Sequence, residues 1–174
     1  MKHATQGTEK GIGMLARARV LYWDSDVWLS YISAQSDRIG TIASLLQEVQ
    51  DNDKQVIVTS IIAKVEVAFA SYEKAQVVLD PQVEEMIDAL WHDSSIVEVI
   101  ELNDNIAHIA RSLIRESVQR GWSLTPNDAI HLASAQWLQR VHELHTYDTK
   151  LHRYSDLIGC DICEPYVLQP RLHQ

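Results

Sequence analysis

Short β-prone segments alternate with amphipathic helical patterns along this chain, and this alternation constrains its fold more than any other feature. The β-prone segments are 18–23, 55–59, 96–100 and 143–146. Helical spacing of apolar residues predicts helices over 26–34, 39–49, 60–72, 81–91, 106–118 and 126–141. A last edge strand is expected within 161–168, because Pro165 fits poorly in a central strand. The order predicts an α/β fold with three α/β/α layers and a central, mostly parallel sheet of four to five strands.

Length and composition favour a single domain. The chain has 174 residues, of which 46% are apolar, so a core can form. We expect one domain over 18–168 and a C-terminal tail over 169–174. Residues 1–17 are polar and contain glycine, which predicts a disordered leader or an expression remnant.

Charge and hydropathy exclude several classes of protein. A net charge of −9 argues against a non-specific DNA-coating protein or a basic membrane-surface protein. It does not exclude a nuclease, since bound metal ions reverse the sign of an acidic site locally. No apolar run is long enough for a transmembrane helix, and the start of the chain lacks the apolar core of a secretory signal. With two cysteines and no disulfide framework, a cytoplasmic protein is the default expectation.

Four acidic residues follow strands or begin helices where their side chains can reach one edge of the sheet. Asp24 ends the first strand, and Asp148 follows the strand that begins near Glu143. Glu66 and Asp128 lie early in two helices. Ligands of open parallel sheets bind beyond the carboxyl ends of the strands. Clustered carboxylates need cations, and hard oxygen ligands select Mg²⁺ or Mn²⁺.

Each acid also has an ordinary structural interpretation. Asp24 can cap the next helix, Asp128 completes a capping pattern with Thr125, and Asp148 can be a turn residue. Glu66 differs, because it lies on the apolar stripe of its helix, where an inward-facing acid needs a partner. The structural alternative for Glu66 is a buried pair with an Arg or Lys.

These acids and their surroundings resemble the PIN-domain ribonucleases, and among them the VapC-type toxins of toxin–antitoxin pairs. The resemblance covers about residues 18–168, and its motifs are Val20-Leu21-Tyr22-Trp23-Asp24-Ser25, Ser60-Ile61-Ile62-Ala63-Lys64-Val65-Glu66, Leu124-Thr125-Pro126-Asn127-Asp128-Ala129-Ile130-His131-Leu132-Ala133 and Thr146-Tyr147-Asp148. Two positions depart from the family pattern. Trp23 is bulkier than expected, and Asp26 stands where Asn or Ser is common.

The resemblance implies a metal-dependent endoribonuclease that hydrolyses RNA through a water activated by metal. Asp24 and Asp128 are then the central ligands of Mg²⁺ or Mn²⁺. Glu66 and Asp148 complete a site for one or two ions. Ser25 and Thr146 steady these ligands, whereas Asn127 is assigned to local structure. The resemblance also implies homodimers and a small antitoxin protein that blocks the acidic pocket.

Other interpretations remain. Asp24-Ser25-Asp26 also fits a haloacid-dehalogenase-like phosphatase, although that assignment leaves Glu66 and Asp128 unexplained. A catalytically idle PIN-like binding module is a third possibility. We interpret His131, His142, His145 and His152 as ordinary polar or core residues, and we discount Cys160-x-x-Cys163 as a redox or zinc motif.

Overall fold

A five-stranded sheet lies at the centre of the fold. The computed structural model describes residues 18–51, 55–92 and 95–167. The strands are β1 (Arg19–Trp23), β2 (Gln55–Ser60), β3 (Val97–Ile100), β4 (Glu143–His145) and β5 (Asp161–Cys163). Their order is β3-β2-β1-β4-β5, and every neighbouring pair is parallel. The predicted α/β class with a central sheet is confirmed.

Helices cover both faces of this sheet. They are α1 (Ser25–Ile32), α2 (Ile39–Asp51), α3 (Ala63–Glu66), α4 (Ser71–Gln76), α5 (Pro81–His92), α6 (Asp104–Gln119), α7 (Pro126–Leu138) and α8 (Ser155–Ile158). Leu21 and Trp23 of β1 pack with apolar residues of α1, α2 and α5 on one face. Val20 and Tyr22 pack with α6 and α7 on the other. Because β1 is buried on both faces, its sequence after Arg19 is continuously apolar rather than alternating.

The strand order places a crevice beside β1. From β1 the chain runs outward through β2 to β3, and then returns through α6 and α7 to β4 on the other side of β1. The strand order therefore reverses between β1 and β4, and such a switch point is where open α/β sheets bind ligands. The segment after Asp148, which was not predicted in detail, forms a 3₁₀ helix over Thr149–Tyr154 and then α8.

The helix predicted over 60–72 is wrong as a continuous element. Ser60 is the last residue of β2, and two short helices follow it, α3 and α4. The buried Glu73 carboxylate accepts hydrogen bonds from the Ala70 amide at 2.6 Å and the Asp80 amide at 2.5 Å. Through these hydrogen bonds the Glu73 carboxylate stabilises the first turn of α4 and connects α4 to the start of α5. The helical segment is therefore broken between Glu66 and Ser71.

The last strand lies within the segment 161–168 in which it is expected. β5 is an edge strand as expected, and Pro165 follows it rather than lying within it. Leu168, the predicted leader 1–17 and the predicted tail 169–174 lie outside the described residues. None of the helices in the described part combines the length and hydrophobicity needed to cross a bilayer.

Candidate functional site

Asp24 lies directly after β1 at the floor of the crevice. Its side chain caps α1 by accepting hydrogen bonds from the amides of Asp26 at 3.1 Å and Val27 at 3.4 Å. Only 5% of the residue is exposed. Burial and the neighbouring Asp26 carboxyl raise the pKa of Asp24 well above its usual value. The cap interpretation is therefore confirmed, but the cap does not remove the cost of a buried negative charge.

Asp26 joins α1 to the end of β4. Its carboxylate accepts hydrogen bonds from the Thr146 hydroxyl at 3.2 Å and from the Tyr147 amide at 3.0 and 3.1 Å. The buried Thr146 oxygen also accepts a hydrogen bond from the Asp148 amide at 2.9 Å. Thr146 therefore contacts the segments that carry Asp24 and Asp148.

Glu66 ends α3, and three side chains hold its carboxylate. Ser25 donates a short hydrogen bond to Oε2, and His131 Nε2 lies 2.9 Å from the same oxygen. Asn127 donates to Oε1 at 2.8 Å. Burial raises the pKa of Glu66, but the hydrogen bonds from His131 and Ser25 outweigh it and lower the pKa to about 2. The expected inward orientation is confirmed, with partners other than an Arg or Lys.

Asp128 and Asp148 both have local roles at helix starts. Asp128 lies in the first turn of α7, where its amide donates to the Thr125 hydroxyl oxygen at 3.2 Å. The Thr125 hydroxyl donates in turn to Asp128 Oδ2 at 2.6 Å. Asp148 caps the 3₁₀ helix by accepting from the Lys150 amide at 2.9 Å. Both residues are half-buried and keep free acceptor capacity.

Hydrogen bonds connect the segments that carry the four acids, but the described residues do not close three of these acids around a common point. Glu66 reaches Ser25, the neighbour of Asp24, and Asn127, the neighbour of Asp128. Within 18–51, 55–92 and 95–167, however, no three of the four acids place oxygens within 4.8 Å of one another. No ion pair in these ranges involves Asp24, Asp128 or Asp148. Carboxylates without a cationic partner fit a divalent cation held partly through water.

Another group of possible ligands lies between β4 and β5. Glu143, His145 and Cys163 place ligand atoms within 4.8 Å of one another. Trp23 donates to His145 Nδ1 at 3.1 Å, so Nε2 carries the hydrogen and donates to Glu143 at 3.0 Å. Arg19 already pairs with Glu143, and burial raises the pKa of Cys163 to about 11. These donors are used within the protein, so the group does not suit a metal as arranged.

Two contributors to the crevice were not identified from the sequence. His131 is buried on α7 and contacts Glu66, whereas the sequence alone indicates an ordinary polar or core residue. The sequence predicts a local structural role for Asn127, but its side chain reaches Glu66. A usable signal existed for His131. Like Glu66, it is a polar residue on an otherwise apolar helix stripe, and two such residues in one core are expected to pair.

Replacing Glu66 with Gln is expected to lower the melting temperature at pH 7. The amide group cannot accept all three hydrogen bonds that the carboxylate accepts. Because the folded pKa is depressed, the carboxylate stabilises the fold above about pH 4.5, and this stabilisation is lost as the pH falls towards 2. Thermal unfolding between pH 7 and pH 3 should show the difference shrinking with acidity. The exposed Glu85→Gln is the control, and a pH-independent difference would contradict the assignment.

Comparisons with known proteins identify the family. The family model described as the PIN domain matches residues 21–157. A VapBC2 structure from Rickettsia felis, bound to a promoter DNA fragment, is 18% identical with a TM-score of 0.63, covering 85% of this chain and 99% of its own. VapBC-1 from nontypeable Haemophilus influenzae is 16% identical, with a TM-score of 0.59 and coverages of 83% and 97%. VapC20 from Mycobacterium tuberculosis, a Sarcin-Ricin loop cleaving toxin, is 15% identical, with a TM-score of 0.56 and coverages of 86% and 99%. No curated protein matches the sequence significantly.

Proposed function

The chain belongs to the PIN domain family, and from this premise we propose that it is a metal-dependent endoribonuclease. The observation that carries the proposal is the buried Asp24 carboxyl beside Asp26. It lies at the switch point of the sheet, and its pKa is raised well above the usual value. The helix cap and the hydrogen bonds of this pair do not remove the repulsion between two adjoining acids, whereas a bound divalent cation offsets it.

Each acid of the crevice has a proposed role. Asp24 and Asp128 are the central ligands of Mg²⁺ or Mn²⁺, while Glu66 and Asp148 complete the site directly or through water. One or two ions fit this donor set. Ser25 orients Glu66 through its hydrogen bond, and Thr146 orients Asp26 and the backbone of Asp148.

The proposed reaction is hydrolysis of an RNA phosphodiester without a covalent enzyme intermediate. When bound, the cation lowers the pKa of water and stabilises charge on the phosphodiester. The chain supplies the carboxylates that hold this cation and the hydrogen bonds that fix them. An acidic crevice repels RNA in the absence of metal, so metal binding is also expected to be required for substrate binding.

We further propose that the protein is the toxin of a type II toxin–antitoxin pair and forms a homodimer. The similar structures named above include two VapBC assemblies, which supports a small protein partner. Val77 and Leu79 are 90% and 76% exposed, which offers an apolar contact surface. Native mass spectrometry of the purified chain tests the dimer. Co-purification with the product of a neighbouring small reading frame tests the antitoxin.

The proposed activity is tested with purified protein and a mixed RNA pool in Mn²⁺ or Mg²⁺. Cleavage is expected with either metal, none in EDTA, and recovery when excess metal is restored. The double variant Asp24→Asn/Asp128→Asn is expected to be inactive. Asp104→Asn/Asp156→Asn, which changes two exposed aspartates elsewhere, is the matched control and should cleave like the wild type.

Each outcome has a distinct meaning. EDTA-resistant cleavage, or cleavage by the double variant, would contradict this active site. If Mn²⁺ binds at the crevice but RNA from several sources remains intact, the catalytically idle binding module becomes the better description. Phosphatase activity that depends on Asp26 would revive the haloacid-dehalogenase-like alternative, which the family match does not support.

A further inference from the structure

A buried histidine of α7 links the core of the protein to the candidate metal site. His131 is 3% exposed and lies on the inner face of α7, three residues after Asp128. Its Nδ1 is 2.8 Å from the Tyr22 hydroxyl, and its Nε2 is 2.9 Å from both Glu66 Oε2 and Ser25 Oγ. Every polar atom of the ring therefore has a partner, and one of these partners is a proposed metal ligand.

The chemistry of these partners fixes the position of the imidazole hydrogen. An ionised carboxylate only accepts hydrogen bonds, so Nε2 must carry the hydrogen that it shares between Glu66 and Ser25. In the neutral ring, Nδ1 then accepts the hydrogen of the Tyr22 hydroxyl. A tyrosine hydroxyl is protonated at neutral pH, so it has this hydrogen to donate. Histidines that bind or support metals are commonly fixed in one tautomer in this way.

The same contacts leave the two oxygens of Glu66 unequal. Oε2 receives hydrogen bonds from Ser25 and His131, which occupy its two lone pairs. Oε1 receives one hydrogen bond, from Asn127, and keeps one lone pair free. Oε1 is therefore the acceptor that Glu66 offers to a cation or to its water shell. His131 contributes to this difference by occupying Oε2.

We propose that His131 is a positioning residue for Glu66, fixing the carboxylate so that Oε1 is the oxygen available to the metal site. This inference rests on the proposed function, because it assumes that the crevice binds a divalent cation. His131 acts through Glu66 and does not touch the cation or the RNA. Tyr22 acts one step further back, by holding the ring in the orientation and tautomer that the carboxylate needs.

The test measures Mn²⁺ affinity rather than cleavage. The dissociation constant is obtained from the electron paramagnetic resonance signal of free Mn²⁺ over the purified full-length chain. His131→Leu removes the donor while keeping an apolar core residue, and it is expected to weaken Mn²⁺ binding about 10–100-fold. His131→Gln restores an N–H donor and is expected to bind within a few-fold of the wild type.

A pair of tyrosine variants supplies the matched control. Tyr22→Phe removes the hydroxyl that contacts His131 and is expected to weaken Mn²⁺ binding. Tyr154→Phe removes another fully buried hydroxyl, which bonds Ser117 at 2.9 Å, and is expected to leave the affinity unchanged. Imidazole ¹⁵N–¹H spectra of the wild type should show the Nε2–H tautomer for His131. The spectrum of His131→Gln identifies which signal belongs to this residue. The tautomer itself is read from the wild type in the absence of metal.

The outcomes separate this inference from the proposed activity. If His131→Leu lowers the melting temperature but binds Mn²⁺ like the wild type, His131 is only structural and the proposal is overturned. An Nδ1–H tautomer in the wild type, or no Mn²⁺ binding at all, would overturn it as well. A wild type that binds Mn²⁺ in a His131-dependent manner but does not cleave RNA would support the positioning role while contradicting the ribonuclease assignment.

Discussion

Replacing Asp24 with Asn is expected to lower RNA cleavage by at least about 100-fold and to raise the stability of the metal-free protein at neutral pH. These two effects have opposite signs, and their combination distinguishes a functional acid from a structural one. A carboxylate that served only to cap α1 would give a variant with unchanged cleavage. A carboxylate that stabilised the fold would give a variant with a lower melting temperature.

The stability effect follows from the position of Asp24. Asn caps helices about as well as Asp, so the amides of Asp26 and Val27 keep an acceptor. The substitution removes a buried carboxyl whose pKa is raised by burial and by Asp26. The raised pKa of the folded state costs no stability below the ordinary value of about 3.8. The cost grows as the pH rises from this value to the raised pKa, and it stays constant above that. The gain in melting temperature should therefore be small near pH 3.5 and largest at neutral or alkaline pH.

Thermal unfolding in EDTA across this pH range, together with cleavage assays in Mn²⁺, measures both effects on the same preparations. Asp104→Asn, at a side chain that is 91% exposed, is the control for removing a negative charge. A lower melting temperature for Asp24→Asn at pH 7, or retained cleavage, would contradict the assignment of Asp24.

Much of this fold could be predicted because its strands and long helices are locally consistent. The helices beginning at Pro81, Asp104 and Pro126 have caps or start residues and regular apolar stripes, and the structure contains all three. The interruption after Glu66 was not predictable in the same way. It depends on Glu73 reaching back to the Ala70 amide and across to Asp80, and no proline or glycine marks the break in the sequence.

In the candidate site, too, some features could be predicted from the sequence and others could not. Positions along the chain predicted that Asp24, Glu66, Asp128 and Asp148 share one edge of the sheet, because strand ends and helix starts meet there. The partners of Glu66 depended on which faces of α1, α3 and α7 meet, and the sequence alone does not specify those contacts. Asn127 and His131 were therefore underestimated, although each lies within three residues of Asp128.

Mn²⁺ is expected to raise the melting temperature of the wild type by about 5–10 °C and to have little effect on Asp128→Asn. A ligand at 100 times its dissociation constant stabilises the folded state by about 2.7 kcal/mol, and a domain of this size gains about 2–4 °C per kcal/mol. Asp128 is half-buried, and within the described part of the chain the Thr125 hydroxyl is the only hydrogen-bond partner of its carboxylate, so its replacement changes the metal-free protein little. A lost response to Mn²⁺ would therefore report on binding rather than on damage to the fold.

The location of the ion is decided by a second variant. If Mn²⁺ stabilises the wild type and Asp128→Asn equally, the cation binds elsewhere, and Glu143, His145 and Cys163 are the first group to examine. Cys163→Ser would then abolish the shift. Under the crevice assignment Cys163→Ser leaves the shift intact, because its thiol contacts Glu143 and is not among the proposed ligands of the crevice. Opposite responses of Asp128→Asn and Cys163→Ser would thus separate the two sites in one melting experiment, whether or not the RNA target is known.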